Sequence, residues 1–560
     1  MTSPILHTPP VPGRRPSLLP ASLIRKLLRR WLVKLETSSG HDPLEQCLGK
    51  LSRFNRRYYS VKQRLAILET LQLALYENFY LRKNTTTVDE CLNPNGTKHL
   101  QTLEQLLEEF IYGYKLLLHL LAERRQLDED GSTQIQEAIY FALKFLSQRI
   151  ALAYSQYAAI PKGLWRELHQ IFRYAEENDL LVHIIDDPIP DTDLPVFHTG
   201  DFIYKRLILL ALAEPYSLMQ GECFELYYLC SRWANDISMV ALSDGSPQGK
   251  HIVDMADDRP PRFVSADLSW QPTNGRIIKI NDAIHKIERD LAQHAQPGHD
   301  PVLSLLDDIP QGDLMQRVLN NYRGKPARAC KRFNLKGQVL FAPGINACHH
   351  YLMNNKSYTP EMDELKLRSM TAIPRTTDID PSLFSTQYEQ ALEKDRQLQK
   401  EGFQLEQALQ RDVNPLGLAL VYQPPVQNKI LQVGELIAHR SGSKRHFRWQ
   451  IGMANWMHRI DDSGEQATYQ IGIKNLAKSA IAVAIKWRGD EAQESDYCRG
   501  ILIPKDTSYE QVRSLIVPSL RYDIDTALTI NMHEQILHVR LKRVLFDTRS
   551  FTQFEFDVLP

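Results

Sequence analysis

Two arginines four positions apart mark the first segment whose chemistry suits an anion. Arg328 and Arg332 lie in Pro326-Ala-Arg-Ala-Cys-Lys-Arg-Phe333, just before a strand-like run at residues 337–342. Each guanidinium is a planar fork that can donate two hydrogen bonds to a phosphate or to the O6/N7 edge of guanine. The pair therefore indicates a phosphate or guanine site, although such spacing taken alone is more often a solvated basic turn.

A second segment carries groups that could recognise a base. Asp412-Val-Asn414-Pro-Leu-Gly417 leads into the apolar run 418–422. A carboxylate such as that of Asp412 can accept from the N1–H and N2–H groups of guanine, and Asn414 can add a polar contact. Gly417 permits a tight turn or a close approach of ligand to backbone. The alternative is a turn that simply starts a strand, where these residue types are common.

Helical periodicity dominates the chain from about residue 21 to about residue 180. Apolar residues recur there at spacings of three and four, which places them on one face of each helix. The clearest stripes are Leu65, Leu68, Leu71, Leu75 and Tyr76; Leu103, Leu106, Leu107, Phe110, Tyr114 and Leu117; and Ile135, Ile139, Leu143, Leu146 and Ile150. We predict a flexible proline-rich tail at 1–20, a helical domain at 21–185, and a mixed, mostly helical domain or linker region at 186–325.

The pattern changes to period two after about residue 325. Trp449, Ile451 and Met453 alternate with polar or small residues, as do Leu537, Val539 and Leu541. Short strands of this kind predict an antiparallel barrel. The expected fold class is therefore multidomain α+β: an all-α bundle, then an antiparallel β-barrel interrupted by a helix at about 382–410, then a β-rich extension at 477–560.

Residues 326–476 resemble the PilZ family, whose pattern is RxxxR, a strand, [DN]xSxxG and further strands. Three later landmarks also fit: Val433–Ile437, Ile451–Trp456 and Tyr469–Ile473. Asn414 stands where the family has serine, and an insertion at about 353–410 separates the two motifs.

The resemblance implies a ligand, cyclic-di-GMP. Arg328 and Arg332 would bind its phosphates and a guanine, Asp412 and Asn414 would hold a guanine, and Gly417 would shape the turn. It implies a non-enzymatic signalling effector, in which the ligand orders the arginine segment and the helical region contacts a protein partner, possibly a second copy of the chain.

Several function classes have no support in the sequence. Lys plus Arg and Asp plus Glu number 67 each, so no basic field exists to hold nucleic acid. No apolar run could span a membrane, no secretion signal is visible, and seven scattered cysteines suit a reducing compartment. We therefore expect a cytoplasmic protein.

Phosphate-loop, dinucleotide, metalloprotease and hydrolase-elbow motifs are missing from the sequence, and we expect no enzyme activity, no cofactor and no metal.

Three alternatives stay open. The barrel could be a scaffold that no longer binds nucleotide. The chain could, less readily, be an unrecognised hydrolase. A second basic group, Arg440, Lys444, Arg445 and Arg448, is predicted to be a solvated loop and is the next candidate for phosphate contact.

Overall fold

A computed structural model gives the fold of the chain. The residues it describes are 18–36, 42–79, 94–122, 129–187, 197–242, 245–265, 270–294, 311–324, 332–354, 358, 360, 403, 405–424, 431–441, 448–461, 467–488, 497–506, 512–519, 522–532 and 535–559. They form two compact units, Met1–Ser304 with Leu314–Arg328 and Leu305–Asp313 with Ala329–Pro560.

The first unit is built mainly from helices. Their bounds are α1 (Ala21–Glu36), α2 (Pro43–Asn55), α3 (Val61–Phe79), α4 (Pro94–Ala122), α5 (Glu129–Ser155), α6 (Leu164–Glu177), α7 (Gly200–Leu212), α8 (Glu222–Leu229), α9 (Asn281–His294) and α10 (Gln311–Tyr322). Short 3₁₀ turns lie at Pro215–Ser217, Cys230–Arg232 and Ala234–Asp236.

The described side chains of the predicted apolar stripes form the core of this unit; those of Leu75 and Tyr76 are not among the described ones. On α5, the five residues of the stripe are fully buried, and on α4 all six are buried. The two helices pack through stacked aromatic rings, with the centroids of Phe110 and Phe145 4.8 Å apart. The bundle is therefore held together by the faces that the sequence periodicity identified.

A buried ion pair crosses this core. Lys144 Nζ on α5 lies 2.6 Å from Asp187 Oδ2, and both side chains are almost fully buried. Tyr140 donates a second hydrogen bond to the same carboxylate oxygen at 2.8 Å. A lysine and a tyrosine therefore satisfy the Asp187 carboxylate inside the protein.

Residues 238–279 hold strands that the sequence did not reveal. β1 (Ser238–Ala241), β2 (Lys250–Asp254), β3 (Arg262–Val264) and β4 (Gly275–Lys279) form an antiparallel sheet in the order β1-β4-β2-β3. The region expected to be mixed and mostly helical, 186–325, thus contains a small sheet, and helix α9 starts at Asn281, after β4.

The second unit contains two closed antiparallel barrels. The first is formed by β5 (Gly337–Pro343), β6 (Glu406–Asn414), β7 (Gly417–Tyr422), β8 (Leu436–Ser441), β9 (Gln450–Asp461) and β10 (Thr468–Ala477). Around the barrel the strand order is β10-β7-β6-β5-β8-β9. Val339, Phe341, Leu420 and Ile471 are buried in it, with at most 1% of their surface exposed.

The helix predicted at about 382–410 is wrong at its C-terminal end. Residues 406–410 belong to strand β6, in which buried and exposed residues alternate. The predicted barrel insertion at about 353–410 must likewise end before β6 begins. The stretch 382–402 lies outside the described residues.

A helix, α11 (Ile345–Leu352), follows β5 and carries the Cys348-His349-His350 triplet. Cys348 and His349 are buried, and His350 stacks on Phe403 with centroids 5.0 Å apart. Within the described part of the chain, no group of three or more His, Cys, Asp or Glu residues is arranged to hold a metal ion.

The second barrel comprises β11 (Ile481–Trp487), β12 (Cys498–Ile503), β13 (Ser514–Pro518), β14 (Ala527–Asn531), β15 (Ile536–Asp547) and β16 (Phe551–Val558). Its strand order is β11-β12-β13-β16-β15-β14. The expected α+β class, with a helical region followed by antiparallel β structure, is therefore confirmed. The C-terminal β region is a closed barrel of its own.

One apolar layer is common to both barrels and α11. Ile451 and Leu436 of the first barrel cluster with Cys348 of α11 and with Ile501 and Phe551 of the second, all fully buried. His349 adds a polar link, since its Nε2 lies 3.1 Å from the carbonyl oxygen of Val483 on β11. None of the described helices combines the length and the apolar composition needed to cross a bilayer.

Candidate functional site

The Asp412–Gly417 segment is a tight hairpin between β6 and β7. Asn414 pairs with Gly417 across the hairpin, so Pro415 and Leu416 form a two-residue turn. Asn414 Oδ1 accepts the backbone N–H of Leu416 at 3.0 Å, an Asx-type bond that stabilises the turn. The turn that starts strand β7 and the polar segment Asp412–Gly417 identified from the sequence are therefore the same residues.

A register shift in β6 sets the position of Asp412. The shift falls between Gln410, opposite Leu420, and Asp412, opposite Ala419, so Arg411 is the extra residue of a bulge. Bulges re-aim the side chains that follow them. The Asp412 side chain is 13% exposed, so it can contact a ligand and is partly shielded from water.

Arg332 reaches this hairpin although it is 80 residues away in sequence. Phe333 forms an isolated antiparallel bridge with Val413, with N–H···O distances of 2.9 and 3.0 Å. The bridge brings Arg332 Nη1 within 3.4 Å of Asp412 Oδ2. The Arg332 side chain remains 41% exposed. Arg328 lies outside the described residues.

Gly417 is needed for backbone packing. A β-carbon at this position would overlap the carbonyl oxygen of Ile473 on β10. Lys474 is directly opposite Gly417 in the register of the two strands. The glycine therefore lets the hairpin lie against β10.

Asn475 on β10 fixes the hairpin turn. Its backbone N–H donates to Leu416 O at 2.9 Å, and its Nδ2 donates to Pro415 O at 3.4 Å. Its Oδ1 lies 3.0 Å from Nε2 of His439, a buried residue of β8. Burial lowers the pKa of His439 to about 4, only partly opposed by the bond to Asn475, so the ring is neutral at pH 7. Since Asn475 Oδ1 can only accept, the proton of the neutral imidazole is on Nε2.

These residues line one pocket on the surface of the first barrel. The cavity has a volume of about 190 Å³ and is partly open to solvent. Arg332, Asp412, Asn414 and Gly417 line one side. The pocket thus combines a guanidinium, a carboxylate and turn amides, which suits a ligand with both an anionic group and a hydrogen-bonding base edge.

The opposite side of the pocket consists of residues that the sequence did not single out as site residues. They are Asn455, Trp456, Gly472, Ile473 and Lys474, from β9 and β10. The Lys474 ammonium also lies 5.5 Å from the ring centroid of Phe546 on β15. Trp456 and Gly472 fall in segments recognised from the sequence as strands, but only the register shows that they face this pocket.

The second basic group does not lie in one solvated loop. Arg440 belongs to β8, and its guanidinium lies over the Trp449 ring, 4.6 Å from the centroid. Arg448 is described and exposed, whereas Lys444 and Arg445 fall outside the described residues. Arg440 is therefore engaged in packing and is a poor candidate for phosphate contact.

Comparisons with known proteins match both ends of the chain. Residues 25–243 match the family model described as "Cyclic-di-GMP receptor FimW, N-terminal domain". Residues 483–559 match the model described as "FimW C-terminal beta-barrel domain". The chain is also similar to a Pseudomonas aeruginosa PAO1 protein named "Cyclic-di-GMP receptor FimW", with 22% identity over 564 residues, covering 95% of this chain and 90% of the relative. No solved structure matches.

Proposed function

We propose that this chain is a non-enzymatic effector that binds cyclic-di-GMP in a PilZ-like first barrel. The observation that carries the proposal is the convergence of Arg332, Asp412, Asn414 and Gly417 on one pocket. Similarity over nearly the whole chain to a protein named as a cyclic-di-GMP receptor supports the same ligand. The first barrel lies between the two segments matched by family models, so the proposal depends on its own geometry there.

Asp412 and Arg332 make the direct contacts with the ligand. The Asp412 carboxylate accepts from the N1–H and N2–H groups of one guanine, and Arg332 donates to a phosphate or to a guanine edge. At 3.4 Å the two side chains are within ion-pair distance of each other. A ligand that supplies a phosphate to Arg332 and base donors to Asp412 replaces this pair, whose arginine is 41% exposed. Arg328, four positions earlier in the sequence than Arg332, supplies a second guanidinium group.

Ligand binding produces a signal by ordering the arginine segment. The guanidinium groups of Arg328 and Arg332, four positions apart in the sequence, repel each other until a dianionic ligand neutralises them, so the ligand orders the arginine segment. The helical unit makes the protein contacts that transmit the signal, to a separate partner or to a second copy of the chain.

Calorimetric titration of the full chain with cyclic-di-GMP tests the site. Wild type is expected to bind saturably, and Arg332→Ala or Arg328→Ala to raise Kd at least tenfold, since losing a charge-assisted hydrogen bond costs about 1.5–3 kcal/mol. Arg513→Ala, an exposed arginine before β13, is the matched control and should bind as wild type. Unchanged binding by the Arg328→Ala/Arg332→Ala double variant would reject the site.

The alternative is a scaffold that no longer binds nucleotide. One observation favours it: Asn414, where the family has serine, already uses Oδ1 to hold its own turn. On this alternative, wild type shows no heat with cyclic-di-GMP. Partner capture would then be lost on deleting residues 60–180 and unaffected by substituting the pocket arginines.

A further inference from the structure

We propose that the solvent-facing side of helix α1 docks on an anionic lipid bilayer. The residues that make this contact are Leu23, Lys26, Leu27 and Arg30, which together form the α1 surface. Its ligand is a layer that presents phosphate groups above acyl chains. The proposal concerns the helical unit and is independent of nucleotide binding by the first barrel.

The other side of α1 is fixed in the core of the helical unit. Ile24, Leu28 and Leu35 are buried in the main apolar cluster of that unit. Arg25, at the edge of this side, forms an ion pair with Glu69 on α3. Because one helical turn takes 3.6 residues, burial of these positions turns the α1 surface toward solvent.

Helix α1 exposes large apolar side chains. Leu23, Leu27 and Val33 are 38%, 46% and 61% exposed, and the two leucines lie one turn apart. Among the described residues, these three are the only exposed large apolar side chains that lie on a helix. Single exposed leucines are common on protein surfaces. Their concentration on one helix, however, indicates a surface that contacts something apolar.

The same side of α1 carries positive charge. The helix has five basic residues and one acidic residue, which are Arg25, Lys26, Arg29, Arg30 and Lys34, and Glu36. Lys26, Arg29 and Arg30 are exposed, and no carboxylate in the described part of the chain forms an ion pair with them. Residues 21–64 contain eleven Lys or Arg and three Asp or Glu, in a chain that has 67 of each. This excess creates a local positive field that attracts an anionic partner.

An anionic bilayer satisfies the positive and the apolar groups of this surface together. Lys26 and Arg30 can reach lipid phosphates while their alkyl stems and the two leucines lie among the upper acyl carbons. Each basic residue near an anionic membrane strengthens binding about fivefold. An acidic protein would also attract the charges, but it would need a shape that fits a convex helix surface on which apolar and basic side chains alternate. A fluid lipid layer adapts to such a surface.

Flotation of the full chain with lipid vesicles tests the charges. Wild type is expected to bind vesicles of phosphatidylglycerol and phosphatidylethanolamine and to leave vesicles of phosphatidylcholine alone unbound. Lys26→Gln/Arg30→Gln should weaken binding at least tenfold, because two charges that each contribute about fivefold are lost. Lys162→Gln/Arg166→Gln is the matched control, since it removes two exposed charges with the same spacing at the start of α6. It should bind as wild type.

The leucines are tested by Leu23→Gln/Leu27→Gln, which keeps the charges and the helix propensity of these positions. This variant should bind anionic vesicles about tenfold more weakly than wild type, because less apolar surface enters the bilayer. Binding of cyclic-di-GMP should be unchanged in both α1 variants, which separates this proposal from the proposed function.

Three results would overturn the proposal. If wild type does not float with anionic vesicles, α1 is no bilayer surface, and an acidic protein is the better partner for its charges. Binding of Lys26→Gln/Arg30→Gln equal to that of wild type would show that another part of the chain contacts the lipid. Wild-type binding by Leu23→Gln/Leu27→Gln would show that no apolar contact is made. Thermal melting followed by circular dichroism checks folding; if the leucine variant is unfolded, the charge variant, altered only at exposed side chains, decides.

Discussion

Asn475 holds Leu416 in place: its backbone N–H donates to the Leu416 carbonyl at 2.9 Å, joining strand β10 to the turn that carries Asn414. The side chain of Asn475 makes two further contacts, with Pro415 O and His439 Nε2. Residues from β6, β8 and β10 therefore fix the geometry of one side of the pocket, although His439 has no place in its lining.

Asn475→Ala should weaken both the turn and the site. The change removes the Nδ2 donor and leaves the buried Nε2–H of His439 without its acceptor, at a cost of about 1–3 kcal/mol in unfolding free energy. We expect Kd for cyclic-di-GMP to rise about fivefold, equivalent to about 1 kcal/mol. Calorimetry and chemical denaturation measure the two effects. Asn475→Asp keeps Oδ1 and should be milder; an Ala variant with wild-type binding and stability would refute the role.

Gly417→Ala should be poorly tolerated. The added β-carbon overlaps Ile473 O, so the hairpin must move away from β10, with an expected loss of about 1–3 kcal/mol or more in unfolding free energy. Gly337→Ala at the start of β5 is the matched control, because a β-carbon there meets no atom within 4 Å. Its stability should stay within about 0.5 kcal/mol of wild type. Equal melting temperatures for both variants would contradict the packing role of Gly417.

Acid should destabilise the protein through His439. Its pKa falls from 6.5 to about 4 on folding. Between pH 6.5 and pH 4, His439 is protonated in the unfolded chain but neutral in the folded chain. The free energy of unfolding is therefore not reduced by His439 above pH 6.5, and it declines as pH falls toward 4. At pH 5 the loss is about 2 kcal/mol.

Denaturation curves from pH 7 to pH 5 measure this dependence. Burial lowers the pKa of His169 in the helical unit to about 4 as well, so that unit should show its own decline. His439→Gln should flatten the slope for the barrel unit alone. A barrel slope that survives His439→Gln would show that another group carries it.

Lys144→Met should strongly destabilise the helical unit. The substitution leaves the Asp187 carboxylate buried without its cation, and breaking a buried pair in this way costs about 3–5 kcal/mol. Differential scanning calorimetry measures the loss. Lys62→Met breaks an exposed pair with Asp130 and should leave the melting temperature unchanged. If both variants melt alike, the buried pair does not stabilise the bundle.

Local pattern was sufficient for the helical core and for several of the barrel strands, but not for β6. Ile135, Ile139 and Leu143 repeat at a spacing that only a helix can place on one buried face. The sheet β1–β4 was not predicted because its strands have three to five residues, too few for an alternation of apolar and polar residues to appear. Leu405 and Leu409 suggested a helix since their spacing is four. In the barrel, however, Leu409 lies on the outer surface and is 60% exposed.

The sequence identified only some of the residues of the candidate site. Arg332 and Asp412 stand out because their residue types and their motifs indicate ligand chemistry. Trp456, Gly472 and Asn475 do not stand out, since their role depends on strand register. Closing the barrel brings β10 beside β7, which is about fifty residues earlier in the chain. A shift of one residue would have turned Trp456 to the other face.

The apolar layer common to both barrels has a practical consequence for dissecting this protein. Only residues 478–480 separate β10 from β11, and the side chains on either side of that junction lie in the same core cluster. A fragment ending at residue 477 would leave Ile451, Leu436 and Cys348 facing water. Such a fragment should aggregate on expression, whereas the paired barrels should purify well and melt in a single transition.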